Sequence, residues 1–90
     1  MNSLTTRQFR ELLAALPSQV QQQARDAYAI FEQNMSHPGL RFKQVNPGPP
    51  PIYSVRVGIG YRALATVEED VVTWFWIGSH ADYDKLLKQL

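Results

Sequence analysis

Phe9, Leu12, Leu13 and Leu16 recur at i, i+3, i+4 and i+7, the spacing of one face of a helix. Thr5 or Thr6 is placed to cap that helix, and Pro17 ends it. Ser18 followed by Gln21 is a capping-box pattern, and behind it Val20, Ala24, Ala27 and Phe31 form a second stripe. That stripe runs to about Asn34, ahead of the turn-forming Ser36-His37-Pro38-Gly39. With only Pro17 between them, the two helices are expected as antiparallel neighbours, a helical hairpin over residues 5–34.

Farther along, the period changes from that of a helix to that of a strand. Leu40 to Val45 alternates, with Leu40, Phe42 and Gln44 on one side and Arg41, Lys43 and Val45 on the other, as a half-exposed edge strand does. Asn46 to Pro51 (NPGPPP) lacks the N–H groups a ladder needs and reads as a loop, part of it extended as polyproline II. Tyr53 to Val57 and Tyr61 to Val67 are separated by Gly58-Ile59-Gly60, whose glycines can take positive φ and close a hairpin. Glu68-Glu69-Asp70 makes a second, solvated reversal into Val71 to Ile77 (VVTWFWI). This run is apolar on both alternating faces, Val71, Phe75 and Ile77 against Val72, Trp74 and Trp76. It is therefore expected to be the central, most buried strand, with at least one tryptophan largely buried. Tyr83, Leu86, Leu87 and Leu90 return to helical spacing, with Ser79 or Asp82 as the cap. The expected fold class is α+β. A helical hairpin packs on a twisted antiparallel sheet of about four strands and a short C-terminal helix follows, in a single domain over residues 1–90, with the helices on one face and the other face free.

Composition removes several function classes. There are no cysteines, so neither disulfides nor thiolate metal sites are available. No apolar run approaches the roughly 20 residues of a membrane span, and MNSLTTRQFREL has no secretory pattern, so a soluble cytoplasmic protein is expected. His37, His80, Asp82 and Asp84 lack convergent zinc spacing, and no glycine-rich phosphate loop is present, so no metal or small-molecule cofactor is expected. The net charge is only +1, but every charge between Glu32 and Glu68 is positive: Arg41, Lys43, Arg56 and Arg62. One side of the sheet is thus expected to be basic in a nearly neutral protein.

The helical hairpin, HPGLRFKQV (37–45), YSVRVG (53–58), GYRAL (60–64) and WIGSHADYDKLL (76–87), in that order, resemble the RelE/ParE toxins of bacterial type II toxin–antitoxin pairs. The resemblance spans almost the whole chain. It implies a toxin neutralised by a cognate antitoxin that wraps the sheet and helices. RelE-like members cut messenger RNA in the ribosome, whereas ParE-like members poison DNA gyrase without enzymatic chemistry; an inactive homologue that only binds its antitoxin is a further alternative. The family opens with an extra strand, for which Met1 to Thr6 is a short candidate not counted above.

Metal-free RNA cleavage needs a deprotonated ribose 2′-hydroxyl, a stabilised phosphorane and a protonated 5′-oxygen. By the resemblance, Arg62 of GYR corresponds to the arginine placed on the scissile phosphate and Arg56 to a second basic position. His80 takes the place of a basic or histidine residue that transfers a proton, and Tyr83 that of a tyrosine near the family's C-terminus. Arg62, His80 and Tyr83 are the expected catalytic residues, with Arg56, Arg41 and Lys43 binding phosphate. Structural alternatives stand beside these. Arg62 could pair with Glu68, Glu69 or Asp82, His80 could be a turn residue bonded to Asp82 or a carbonyl, and Tyr83 shares a stripe with Leu86, Leu87 and Leu90. Ser54 stands where the family expects a lysine, so free RNA should be held weakly, with the ribosome supplying the positioning.

Overall fold

The computed structural model describes residues 2–90. Five strands form one sheet in the order β1-β5-β4-β3-β2: β1 (Asn2–Thr5), β2 (Lys43–Asn46), β3 (Ile52–Val57), β4 (Tyr61–Glu68) and β5 (Val71–Ser79). Helices α1 (Arg7–Ala14) and α2 (Ser18–Gln33) pack on one face, and α3 (His80–Leu87) follows β5 directly. No helix among the described residues is long and apolar enough to cross a membrane.

The α+β class and the helical hairpin are as expected, and the sheet has one strand more. Residues 2–5 of the candidate Met1 to Thr6 stretch pair in parallel with β5, Asn2 opposite Val71 and Thr5 opposite Trp74; Met1 lies outside the described residues. Asn2 N donates to Asp70 O at 2.7 Å and Thr6 N to Trp74 O at 2.9 Å, so backbone bonds carry this strand. Its one large apolar side chain, Leu4, is 57% exposed, which is why no hydrophobic pattern announces it. Of the two candidate caps, Thr6 accepts from Phe9 N at 3.0 Å. The capping box at Ser18 does not form: α2 starts on Pro17, whose carbonyl accepts from Val20 N and Gln21 N. Gln21 Nε2 instead reaches back to Leu16 O at 2.9 Å, closing the free carbonyl end of α1.

A β-bulge reassigns the faces of β5. Ala65 pairs with Trp74 and Leu64 with Trp76, leaving Phe75 as the extra residue. Alternation is therefore broken in mid-strand: Val72, Trp74 and Ile77 share the helix-covered face, whereas Trp76 stands opposite Leu64 on the other. The core on the helix side joins Val55, Val57, Ala63, Ala65, Val72, Trp74 and Ile77 to Phe31 and Leu40. The middle of the sheet is β4, not β5, and its consecutive buried residues Ala63, Leu64 and Ala65 show that it is covered from both sides. The second cover comes from α3. Tyr83 crosses to the face opposite α1 and α2, so that face is only partly free.

Two segments ahead of β3 also differ from expectation. Pro38–Leu40 forms a short 3-10 helix, capped by His37 Nδ1 accepting from Gly39 N at 3.0 Å, and Arg41 leaves it in the left-handed region at φ 49°. The edge strand thus begins at Lys43 rather than Leu40. The proline loop turns instead of extending: Gly48 has φ 74°, and the Gly48–Pro49 and Pro49–Pro50 peptide bonds are cis. A Cβ on Gly48 would overlap the backbone carbonyl of Pro50. Gly48→Ala is expected to lower the stability of the protein by about 1–3 kcal/mol, read as a lower urea midpoint at unchanged m-value.

Candidate functional site

The β3–β4 hairpin sets the site. Gly58 takes φ 57°, and a side chain there would strike Gln23 of α2; Gly60 keeps an ordinary φ, so one glycine rather than two makes the turn. Val57 pairs with Tyr61 and Arg56 with Arg62, so both arginines leave the sheet on the face opposite α1 and α2. On the strand beyond, Arg62 lies opposite Gly78, over which the Trp76 indole folds; a Cβ at Gly78 would meet that ring at 2.6 Å.

Neither arginine is neutralised. Arg56 Nε donates to Gly58 O at 3.0 Å and Arg62 Nη1 to Tyr61 O at 2.8 Å. Among the described residues the ion pairs are Arg7 with Glu11 and His80 with Asp84, so Glu68, Glu69 and Asp82 do not pair with Arg62. Burial holds the pKa of Arg62 below the ordinary guanidinium value, and the charges of Arg56 and Arg41 lower it further, while Tyr83 and Asp84 oppose them. Like charges directly opposite on adjacent strands are destabilising.

Helix α3 delivers the remaining groups. Ser79 Oγ accepts from Asp82 N at 3.1 Å and caps the helix, and His80 N donates to Gly60 O at 2.8 Å, tying the helix start to the arginine hairpin. His80 is exposed; its Nδ1 lies 3.1 Å from Asp84 Oδ2, and its ring meets Tyr83 edge-on at 5.8 Å. Tyr83 is only 5% exposed and donates its hydroxyl to Ser54 Oγ at 3.2 Å, with Ser54 itself 1% exposed. The tyrosine is thus core residue and neighbour of the arginines at once. Ser54, at the position where a lysine was expected, lies beneath it.

The structure therefore brings Arg56, Arg62 and Tyr83 together, with His80 beside the tyrosine and the charge of Arg41 reaching Arg62. Lys43 sits at the margin, exposed on the edge strand opposite Ser54. Sequence reasoning passed over Asp84, whose four-residue spacing from His80 in a helical stretch was the available signal.

On the other face, α1 lies along β5 and α2 against β3, leaving between them an apolar groove of about 700 Å³ lined by Phe9, Leu13, Tyr28, Phe31 and Trp74. Trp74 is buried here, and its Nε1 is, among the described residues, a buried donor without a partner. The tryptophan pair is split, since Trp74 faces this groove and Trp76 the side of the arginines.

The geometry has counterparts in solved structures. A chain of the archaeal RelE–RelB complex from Pyrococcus horikoshii OT3 aligns with a TM-score of 0.70 at 16% identity, over 87% of this chain and 92% of that one. A chain of the RelB–RelE antitoxin–toxin complex from Methanococcus jannaschii aligns at 0.71 and 17%, over 92% and 96%. YafQ from E. coli BL21(DE3) aligns at 0.72 and 7%, over 91% and 96%. At such identities the likeness is one of fold. No curated protein sequence matches the chain. The family model described as the ParE-like toxin domain matches residues 18–85, which takes in both arginines, the histidine and the tyrosine, and the chain accordingly belongs to the ParE-like family within the RelE/ParE superfamily of toxin–antitoxin toxins.

Proposed function

We infer that this protein is the toxin of a type II toxin–antitoxin pair and that it inhibits translation by cleaving messenger RNA on the ribosome without a metal. The observation that carries this reading is the pair Arg56 and Arg62, opposite one another in register on adjacent strands and ion-paired to no carboxylate among the described residues. A pair so placed is unfavourable in the free protein and becomes favourable when a phosphate sits between the two guanidiniums. His80 takes or gives the proton of the 2′-hydroxyl or the 5′-oxygen, being the side chain at this face whose ordinary range lies near neutrality. Tyr83, with its hydroxyl engaged by Ser54, supports the histidine and the arginine rather than carrying a proton itself. Arg41 and Lys43 extend the positive field toward the rest of the RNA. So few cations give weak binding to free RNA, and the ribosome supplies the remaining alignment. A ParE-like gyrase poison is the competing reading, favoured by the family model and by the serine at position 54. The antitoxin belongs on the helix side, where an apolar stripe of the partner would fill the groove.

Expression of the chain alone, with 5′ ends of translated messages mapped during growth arrest, tests the reaction. New ends that require translation and disappear with Arg62→Met are expected, and His80→Ala should slow cleavage by about 10²–10⁴-fold. Arrest with intact messages would replace the ribonuclease by the gyrase reading.

The stability of the same variant separates a functional arginine from a structural one. Arg62 stands directly opposite Arg56 on the neighbouring strand, and like charges so placed cost stability in the free protein. Arg62→Met should therefore raise the urea midpoint at pH 7 while abolishing cleavage, whereas loss of a structural arginine would lower it.

A further inference from the structure

We propose that Asp84 is a positioning residue that fixes the tautomer of His80, so that Nε2 is the nitrogen with a free lone pair at the arginine-lined face. The consequence for catalysis rests on the ribonuclease reading above; the tautomer itself does not.

Three contacts fix His80, one at its backbone and two at its imidazole. The backbone of His80 is fixed by its bond to Gly60 O, one edge of the ring is set against Tyr83, and Nδ1 lies 3.1 Å from Asp84 Oδ2. A carboxylate only accepts, so the neutral ring must carry its proton on Nδ1 to keep this bond, and the lone pair falls to Nε2. A histidine free in water favours the opposite arrangement. Asp84 therefore inverts the intrinsic preference, and it does so one turn along the helix, where the i,i+4 spacing brings the two side chains together. The other charged and titratable groups around this face, Arg56, Arg62 and Tyr83, offer His80 no competing acceptor in the structure, and Arg62 itself feels the Asp84 charge. Both side chains of the pair are about half exposed, at 48% and 56%, so its removal leaves the fold in place.

The second histidine is an internal control. His37 Nδ1 accepts from Gly39 N at 3.0 Å, which requires that nitrogen to be unprotonated and the proton to sit on Nε2. The two histidines of the chain are thus assigned opposite tautomers.

The test is nitrogen NMR of protein carrying ¹⁵N-labelled imidazoles, recorded at a pH where both rings are neutral, with the His80 signals identified by their absence from His80→Gln. His80 should show the Nδ1–H pattern and His37 the Nε2–H pattern. Asp84→Ala should move His80 toward the His37 pattern, and Asp84→Asn, whose amide oxygen still accepts, should restore it. An Nε2–H pattern for His80 in the unaltered protein, or one indifferent to Asp84→Ala, overturns the proposal. In ribosome-programmed cleavage, Asp84→Ala should lower kcat about tenfold or more at little changed KM, and should add nothing in a His80→Ala background. Full activity of Asp84→Ala alongside an inactive His80→Ala overturns the positioning role alone. Full activity of His80→Ala removes the histidine from the ribonuclease reading and the catalytic part of the proposal with it, while the tautomer assignment is decided by the spectra.

Discussion

The register between β3 and β4 is the constraint on which the rest depends. A slip of one residue would turn Arg56 and Ser54 into the helix-covered core and bring Val55 and Val57 out to solvent. That core would then hold an unpaired guanidinium, so the alternative register is heavily disfavoured. The left-handed Gly58 closes the turn in the one place that pairs Val57 with Tyr61, and Gln23 of α2 lies against it. Hairpin and helix thus enforce the same alignment, and the arginine pair, the start of α3 and the burial of Ser54 all inherit their positions from it.

The strongly patterned parts of the chain were legible from the sequence because each follows from a period. The stripes of α1, α2 and α3 come from packing on one side, and β3 and β4 are bounded by the glycine turn between them. What escaped is what the period does not encode. Four residues held by parallel backbone bonds give β1 almost no side-chain signature, and Phe75 disguises the faces of β5 because a bulge breaks the alternation from within an all-apolar run. The 3-10 turn before Arg41 escaped for a similar reason, since Leu40 is buried in it as well as it would be in a strand.

The site was legible to the extent that charge and spacing determine it. Arg56 and Arg62 could be put on one face because a tight hairpin around Gly58-Ile59-Gly60 fixes which residues oppose one another. The α3 stripe already offered Tyr83 as a core residue; its reach to Ser54 was not readable, because the two belong to different parts of the chain and meet only across the sheet. The unpartnered indole nitrogen of Trp74 was hidden for the converse reason: in VVTWFWI it looks like core, and only the gap between α1 and α2 shows that its polar end is left over.

The contact between Ser54 and Tyr83 limits what position 54 can hold. Ser54 is enclosed, with its hydroxyl against the phenol, in a space where a lysine could not lie without expelling the ring. In this chain a cation at position 54 and the tyrosine in its present pose cannot coexist. Ser54→Lys alone would meet an occupied space, and its charge would be accommodated only with the ring swung away from the sheet.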